Sequence, residues 1–281
     1  MKKTGREPQV PGRAGGGGRA GVLLLWAAVG LGAGFINGLL GAAGGILLVT
    51  ALPYLPTPSL LSVGANPYGQ AGADRRDLFA SALAVMLPVS AVSALRYRLA
   101  GVDPLPRSLL PLLLPAAAGG LLGAFLLERT SPRRLRACSR RSFWYPASGC
   151  CSEGDRLMLF IHMLASFGIA VLSGMGVGSA GLFVLYLTAF AGLSQLQAQG
   201  LNLVFFLLSA GASFLYHVRR RQIPWGLVAF LILCAVPGSL LGAGLMRRLD
   251  SATIRRLFGG MLTLAGGSSL IRELRAGTVK Q

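Results

Sequence analysis

The chain reads as an all-α integral membrane protein of two homologous halves. Each half has about four transmembrane helices, and the first helix of each is broken at a Gly-rich motif. Three observations predict this: a composition too apolar for water, a series of membrane-length apolar windows, and three blocks of sequence that recur in the same order. Hydrophobic residues fill 53% of 281 positions and charged residues 13%, whereas soluble domains carry about 25% charged residues.

Apolar windows fall at 21–40, 44–55, 79–95, 108–127, 157–175, 179–191, 198–216, 225–246 and 256–271. Crossing the hydrocarbon takes about 20 apolar residues, so 44–55 and 179–191 are too short, and each follows a glycine-rich stretch. Residues 1–20 are basic and glycine-rich and are expected as a disordered cytoplasmic tail. The first membrane repeat then covers 21–155 and the second 156–281.

The repeat rests on paired blocks. Gly34, Gly38, Gly41, Gly44 and Gly45 answer to Gly174, Gly176, Gly178 and Gly181. "FASALAVMLPVSAVSALRYR" matches "AQGLNLVFFLLSAGASFLYHVR", with Ser81 opposite Asn202 and Pro88 opposite Ser209. Gly119, Gly120 and Gly123 stand opposite Gly238 and Gly242. The last helix of the second half, "LFGGMLTLAGGSSLI", should have a partner after Arg136, but 138–155 is polar and basic. Two readings stay open for this degraded helix: a real loop, or a shifted reading frame, which with GC-rich codons chosen for Cys138 to Ser152 can give the apolar product QPALLLVSGVRMLL. Resequencing the DNA separates them.

The formal charge of +18 lies in short clusters between apolar runs, such as Arg96 with Arg98, Arg219 to Arg221 and Arg255 with Arg256. That pattern anchors helix ends at a membrane surface and leaves no basic face for nucleic acid. Basic clusters on consecutive loops leave open whether the repeats are parallel or inverted. Cys138, Cys150, Cys151 and Cys234 form no metal or disulfide framework, and no cofactor or metal is expected. Trp26, Tyr97, Tyr216 and Trp225 read as an aromatic belt, and His162 and His217 as interfacial histidines.

In hydrocarbon a broken helix persists only where it is buried in protein or lines a cavity. A half-helix starting at Gly44 or Gly181 would turn free N–H groups and a positive dipole end toward a ligand, which suits a small anion. The expected substrate-binding residues are Asn37, Gly41, Gly44, Gly45, Ser81, Ser173, Gly176, Gly178, Ser179, Gly181 and Asn202. Glycines at these positions also suit close helix packing without any ligand. No Asp or Glu lies inside an apolar window; Glu128 and Asp250 sit at helix ends, which leaves proton coupling through a buried carboxylate unsupported.

The glycine blocks, "SALAVMLPVSAVSALRYR" and the paired "GGLLGAFL" and "GSLLGAGL" resemble the sulfite exporter TauE/SafE family of membrane permeases, within the 4-toluene sulfonate uptake permease superfamily. The resemblance covers about Val22 to Leu270 and fails across 138–155; Ala43, Ser179 and Ala180 stand where the family commonly has glycine. It implies a duplicated bundle in the cytoplasmic membrane that moves sulfite, sulfonates or related anions, and no enzyme. Its partners would be the anion and the lipid bilayer. Two other classes compete: a non-transporting scaffold or sensor, and an intramembrane serine protease using Ser179 with His217 as base, although "GSAG" lacks the serine position of such proteases.

Overall fold

The computed structural model describes residues 16–41, 44–52, 75–101, 113–129, 155–175, 180–221, 223–246 and 248–278. The degraded-helix segment 138–154, with both of its readings, lies outside them, as do Gly176, Gly178 and Ser179. Among the described residues the regular structure is entirely helical: α1 (Gly16–Leu40), α2 (Gly44–Ala51), α3 (Arg75–Leu99), α4 (Leu113–Arg129), α5 (Asp155–Gly174), α6 (Ala180–Ala189), α7 (Gln195–Val218), α8 (Trp225–Met246) and α9 (Ser251–Thr278). α1 starts at Gly16, inside the segment expected as a disordered tail. Among the described residues, four stretches are long and apolar enough to cross a membrane: Ala20–Leu40, Arg76–Leu99, Gln195–Val218 and Trp225–Met246. A helix satisfies all its own backbone groups in lipid, which is why apolar runs of this length take that form.

Helix starts follow local chemistry. Ser194 caps α7 through a reciprocal box, its hydroxyl accepting from the Gln197 N–H at 3.4 Å while the Gln197 side-chain Oε1 accepts from the Ser194 N–H at 3.3 Å. Asp250 accepts from the Thr253 N–H at 3.4 Å at the start of α9, and hydrogen bonds from Thr253 hold its exposed carboxyl below the ordinary carboxylate range.

Two glycine-lined crossings organise the bundle. A Cβ at Gly34 or Gly38 of α1 would overlap the carbonyls of Ala235 and Ser239 on α8, and one at Gly238 or Gly242 of α8 would overlap those of Leu31 and Phe35 on α1. In the second crossing, Gly119 and Gly123 of α4 press on the Phe167 and Val171 carbonyls of α5, and Gly174 of α5 presses on the Gly120 carbonyl of α4. The pairs Leu31–Gly238, Phe35–Gly242 and Gly38–Ser239 thus recur as Phe167–Gly119, Val171–Gly123 and Gly174–Gly120, with the same spacing along both helices. Lipid offers no hydrophobic drive for helices to associate, so such backbone-to-backbone approach supplies the packing energy.

Contacts fix the helix directions. Leu87 lies near Gly211, the Phe79 ring 6.1 Å from that of His217, and Asp77 beside Arg221, so α3 and α7 are antiparallel. Gly120 meets Ser209 and Ser213, and Glu128 meets Arg221, so α4 runs with α7. One apolar cluster gathers the ends of α1, α3 and α8 (Leu40, Tyr97, Met246) with the beginning of α7 (Ala198, Leu201). The other gathers their beginnings, with Trp26, Leu78 and Leu227. α1, α3 and α8 therefore point one way, and α4, α5 and α7 the other.

Trp26 and Tyr97, expected in an aromatic belt, are instead buried. Tyr97 donates its hydroxyl to the Gly38 carbonyl at 3.1 Å, a partner it could not find at a lipid surface. Trp225 is exposed at the start of α8.

Candidate functional site

The site is built where the chain leaves α1. Gly41 adopts a left-handed φ of 62°, a conformation that glycine takes without a Cβ penalty. The chain reverses there. A Cβ at Gly44 would overlap the carbonyl of Ala33, although a straight continuation would leave those residues about 16 Å apart at 1.5 Å per residue. α2 thus returns along α1 instead of carrying it onward. In the second half, His162 of α5 lies 2.6 Å from the Tyr186 hydroxyl of α6, so those two helices also lie side by side.

Polar groups from three helices surround the Gly41 turn. Asn37 is fully buried and exchanges hydrogen bonds with Ser90 of α3 at 3.2 and 3.3 Å. Asn202 of α7 donates to the Gly41 carbonyl at 3.1 Å and leaves its own Oδ1 without a partner. Gln199, also fully buried, places its backbone carbonyl 3.1 Å from where a Gly41 Cβ would sit. Both polar atoms of the Gln199 amide lack a partner, as does Gln195 Nε2.

These residues belong to a longer pattern. Gln195, Gln199, Asn202, Ser209, Ser213 and His217 follow one another at spacings of three, four or seven and are all buried. They form one polar stripe along the whole of α7. Among the described residues, every buried side-chain polar atom without a hydrogen-bond partner belongs to this stripe: Gln195 Nε2, Gln199 Oε1 and Nε2, Asn202 Oδ1, Ser209 Oγ and both ring nitrogens of His217. An amide kept dry and unpaired costs about 1–3 kcal/mol, so a stripe of them suits a ligand or water path.

The expected site residues divide by position. Asn37, Gly41, Gly44 and Asn202 come together at the turn, and Gly45 follows on α2 with Met86 Cγ 3.6 Å from its Cβ direction. Ser81 lies toward the other end of α3, donating to the Asp77 carbonyl of its own helix at 2.9 Å. Ser173 precedes the Gly174 crossing on α5, half-buried, and Gly181 faces Leu262 and Phe258 of α9. Gly44 is pressed on backbone, so a side chain there would disturb the fold as well as any path. Gln195, Gln199 and Ser209 escaped the sequence reading, although their shared spacing with Asn202 in "QLQAQGLNLVFFLLS" was a visible signal.

The opposite end of α7 is ionic. Arg221 donates through Nη2 at 2.8 Å and Nε at 3.2 Å to Glu128 Oε1, and through Nη1 at 3.3 Å to Asp77. Arg76 stands 3.7 Å from Glu128 Oε2. Arg221 is therefore no interfacial anchor but a tie between the ends of α3, α4 and α7, whereas Arg219 and Arg220 are exposed.

A family model described as "Sulfite exporter TauE/SafE" matches residues 25–269. The chain belongs to the TauE/SafE sulfite exporter family. No curated protein and no solved structure matches it. Membership in TauE/SafE, together with the membrane-length helices, makes the chain a membrane permease. The family is one of transporters, so the polar stripe of α7 is read here in terms of passage.

Proposed function

We propose that this TauE/SafE protein moves a small sulfur-containing anion of the sulfite or sulfonate type across the cytoplasmic membrane by alternating access. The single observation that carries the reading is the buried α7 stripe, in which Asn202 and Gln199 stand at the Gly41 turn and the Gln199 amide has no partner. Neutral amide donors hold an oxyanion by hydrogen bonds without the tight binding of a fixed cation, which suits a ligand that must leave again. The positive end of α2 adds to that preference.

The two crossings favour a duplicated architecture, one unit within 21–155 and the other within 156–281. Each member of the sequence-matched pairs α1/α5, α3/α7 and α4/α8 runs opposite to its counterpart, which supports inverted repeats. The turn at Gly41, and its expected counterpart in the glycine run from Gly176 to Gly181, would then face the substrate from the two sides of the membrane.

The test is uptake into proteoliposomes of sulfite, a sulfonate, sulfate and acetate, with wild type and Gln199→Leu. Flux of the sulfur anions is expected in wild type and a loss of at least about tenfold in the variant, which corresponds to a single hydrogen-bonding partner worth about 1.4 kcal/mol. The variant should fold as well as wild type, because leucine removes an unpaired buried amide. Wild-type flux of none of these anions would reject the substrate class. Undiminished flux in the variant would reject the site.

A further inference from the structure

The ionic end of α7 contains a buried titratable group that anion binding does not use. His217 is fully buried, and neither ring nitrogen has a hydrogen-bond partner. Phe79 of α3 and Tyr216 meet the ring edge-on, at centroid distances of 6.1 and 5.8 Å. Its Nδ1 lies 3.8 Å from Glu128 Oε1, beyond hydrogen-bond reach but close enough for an ion pair once the ring is charged.

The charged groups acting on His217 are Glu128 of α4, Arg76 of α3 and Arg221 just beyond α7, with Asp77 of α3 paired to Arg221. Burial works most strongly against a charge on the ring; Glu128 favours one, and Arg221 and Arg76 oppose it. The decisive feature is that Glu128 Oε1, the oxygen nearest His217, is the one that accepts both short bonds from Arg221. A charged imidazole moving about 1 Å closer would make a charge-assisted bond of its own and compete with Arg221 for that oxygen. Arg221 ties the ends of α3, α4 and α7 together, so weakening its grip loosens this mouth of the bundle. The group also terminates the polar stripe that begins at Gln195.

We propose that His217 and Glu128 form a proton-binding pair that couples anion movement to a proton gradient by competing with the Arg221 tie. The coupling rests on the transporter reading; the proton site does not. One proton from water at that mouth is taken up on the imidazole and later returned to water on the other side of the cycle, with no other bond made or broken. Helix-end position in the sequence concealed the pair, because Glu128 meets His217 only through the packing of α4 against α7.

The experiment has two readouts on the full chain. The sequence contains two histidines, so His162→Gln in nanodiscs leaves the His217 ring as the single histidine signal for nitrogen NMR. The ring is expected to take up a proton as the pH falls, and Glu128→Gln is expected to lower the midpoint because the attracting charge is lost. In proteoliposomes, wild type should accumulate sulfite about tenfold per unit of imposed pH difference if one proton accompanies each anion. His217→Gln should abolish that accumulation. A ring that does not titrate, a midpoint indifferent to Glu128→Gln, or gradient-driven accumulation that survives His217→Gln would each overturn the proposal. A titrating, Glu128-dependent ring in a protein that moves no sulfite would instead uphold the proton site and refute the transport reading with this probe.

Discussion

The two ends of α7 solve the same problem, polar groups buried in an apolar bundle, in opposite ways. At the beginning of the helix the groups are neutral amides: Gln199 stands unpaired beside the Gly41 turn, and Gln195 Nε2 also lacks a partner. At its far end the groups are charged and tied, with Arg221 joining Glu128 and Asp77. An unpaired neutral group costs about 1–3 kcal/mol and can be tolerated. A charge partly shielded from water costs more than a neutral group to leave unpaired, and these half-buried ions pair in a network. The difference teaches that the neutral end is shaped for a visiting partner and the ionic end for one that is already there.

That contrast stands on a scaffold set by glycine, and the scaffold gives the largest expected effect. Gly34→Val would drive its side chain into the Ala235 backbone, where neither helix can yield without separating. A destabilisation of about 3 kcal/mol or more is expected, read as loss of monodisperse protein in size-exclusion chromatography. Gly32 and Gly244 have open space at the Cβ position, so alanine at either should leave the profile unchanged. Equal damage from all three substitutions would break the account of the crossings.

A smaller effect is expected at the turn. Gly41→Ala forces a left-handed backbone on an L-residue and brings a methyl to 3.1 Å from the Gln199 carbonyl. The expected cost is about 1–2 kcal/mol, visible as a lowered melting temperature. A larger loss of anion flux than of stability would sharpen the comparison, since it would separate the turn's role in the site from its role in the fold.

Much of the bundle was legible in the sequence. The windows 198–216 and 225–246 lie within the spans of α7 and α8, because a membrane-length apolar run has few alternatives to a helix. The paired glycines were also legible as close-packing positions, and Gly34, Gly38, Gly119, Gly120, Gly123, Gly238 and Gly242 all press on backbone. What escaped was direction and partnership. Nothing local to "GLLGAAGGILLV" states that α2 folds back along α1, a return marked by the left-handed Gly41 and by the packing of Gly44 against Ala33. Glu128 and Arg221 likewise looked like separate helix ends, because their pairing is a consequence of α4 packing against α7. Asn202 was singled out from its place in the repeat, while Gln199 was passed over on the same face of the same helix.

Cysteine scanning of α7 tests the central claim most directly. In a protein with Cys138, Cys150, Cys151 and Cys234 replaced by serine, single cysteines at Gln195, Gln199, Asn202, Ser209 and Ser213 would be compared with cysteines at the outward-facing Leu208 and Leu215. A water-soluble, membrane-impermeant thiol reagent, applied to the protein in liposomes, should label the stripe at Gln199 and Asn202 and spare Leu208 and Leu215. A stripe as unreactive as the lipid-facing positions would mean that α7 buries its polar face in a sealed core, and the path described here would not exist.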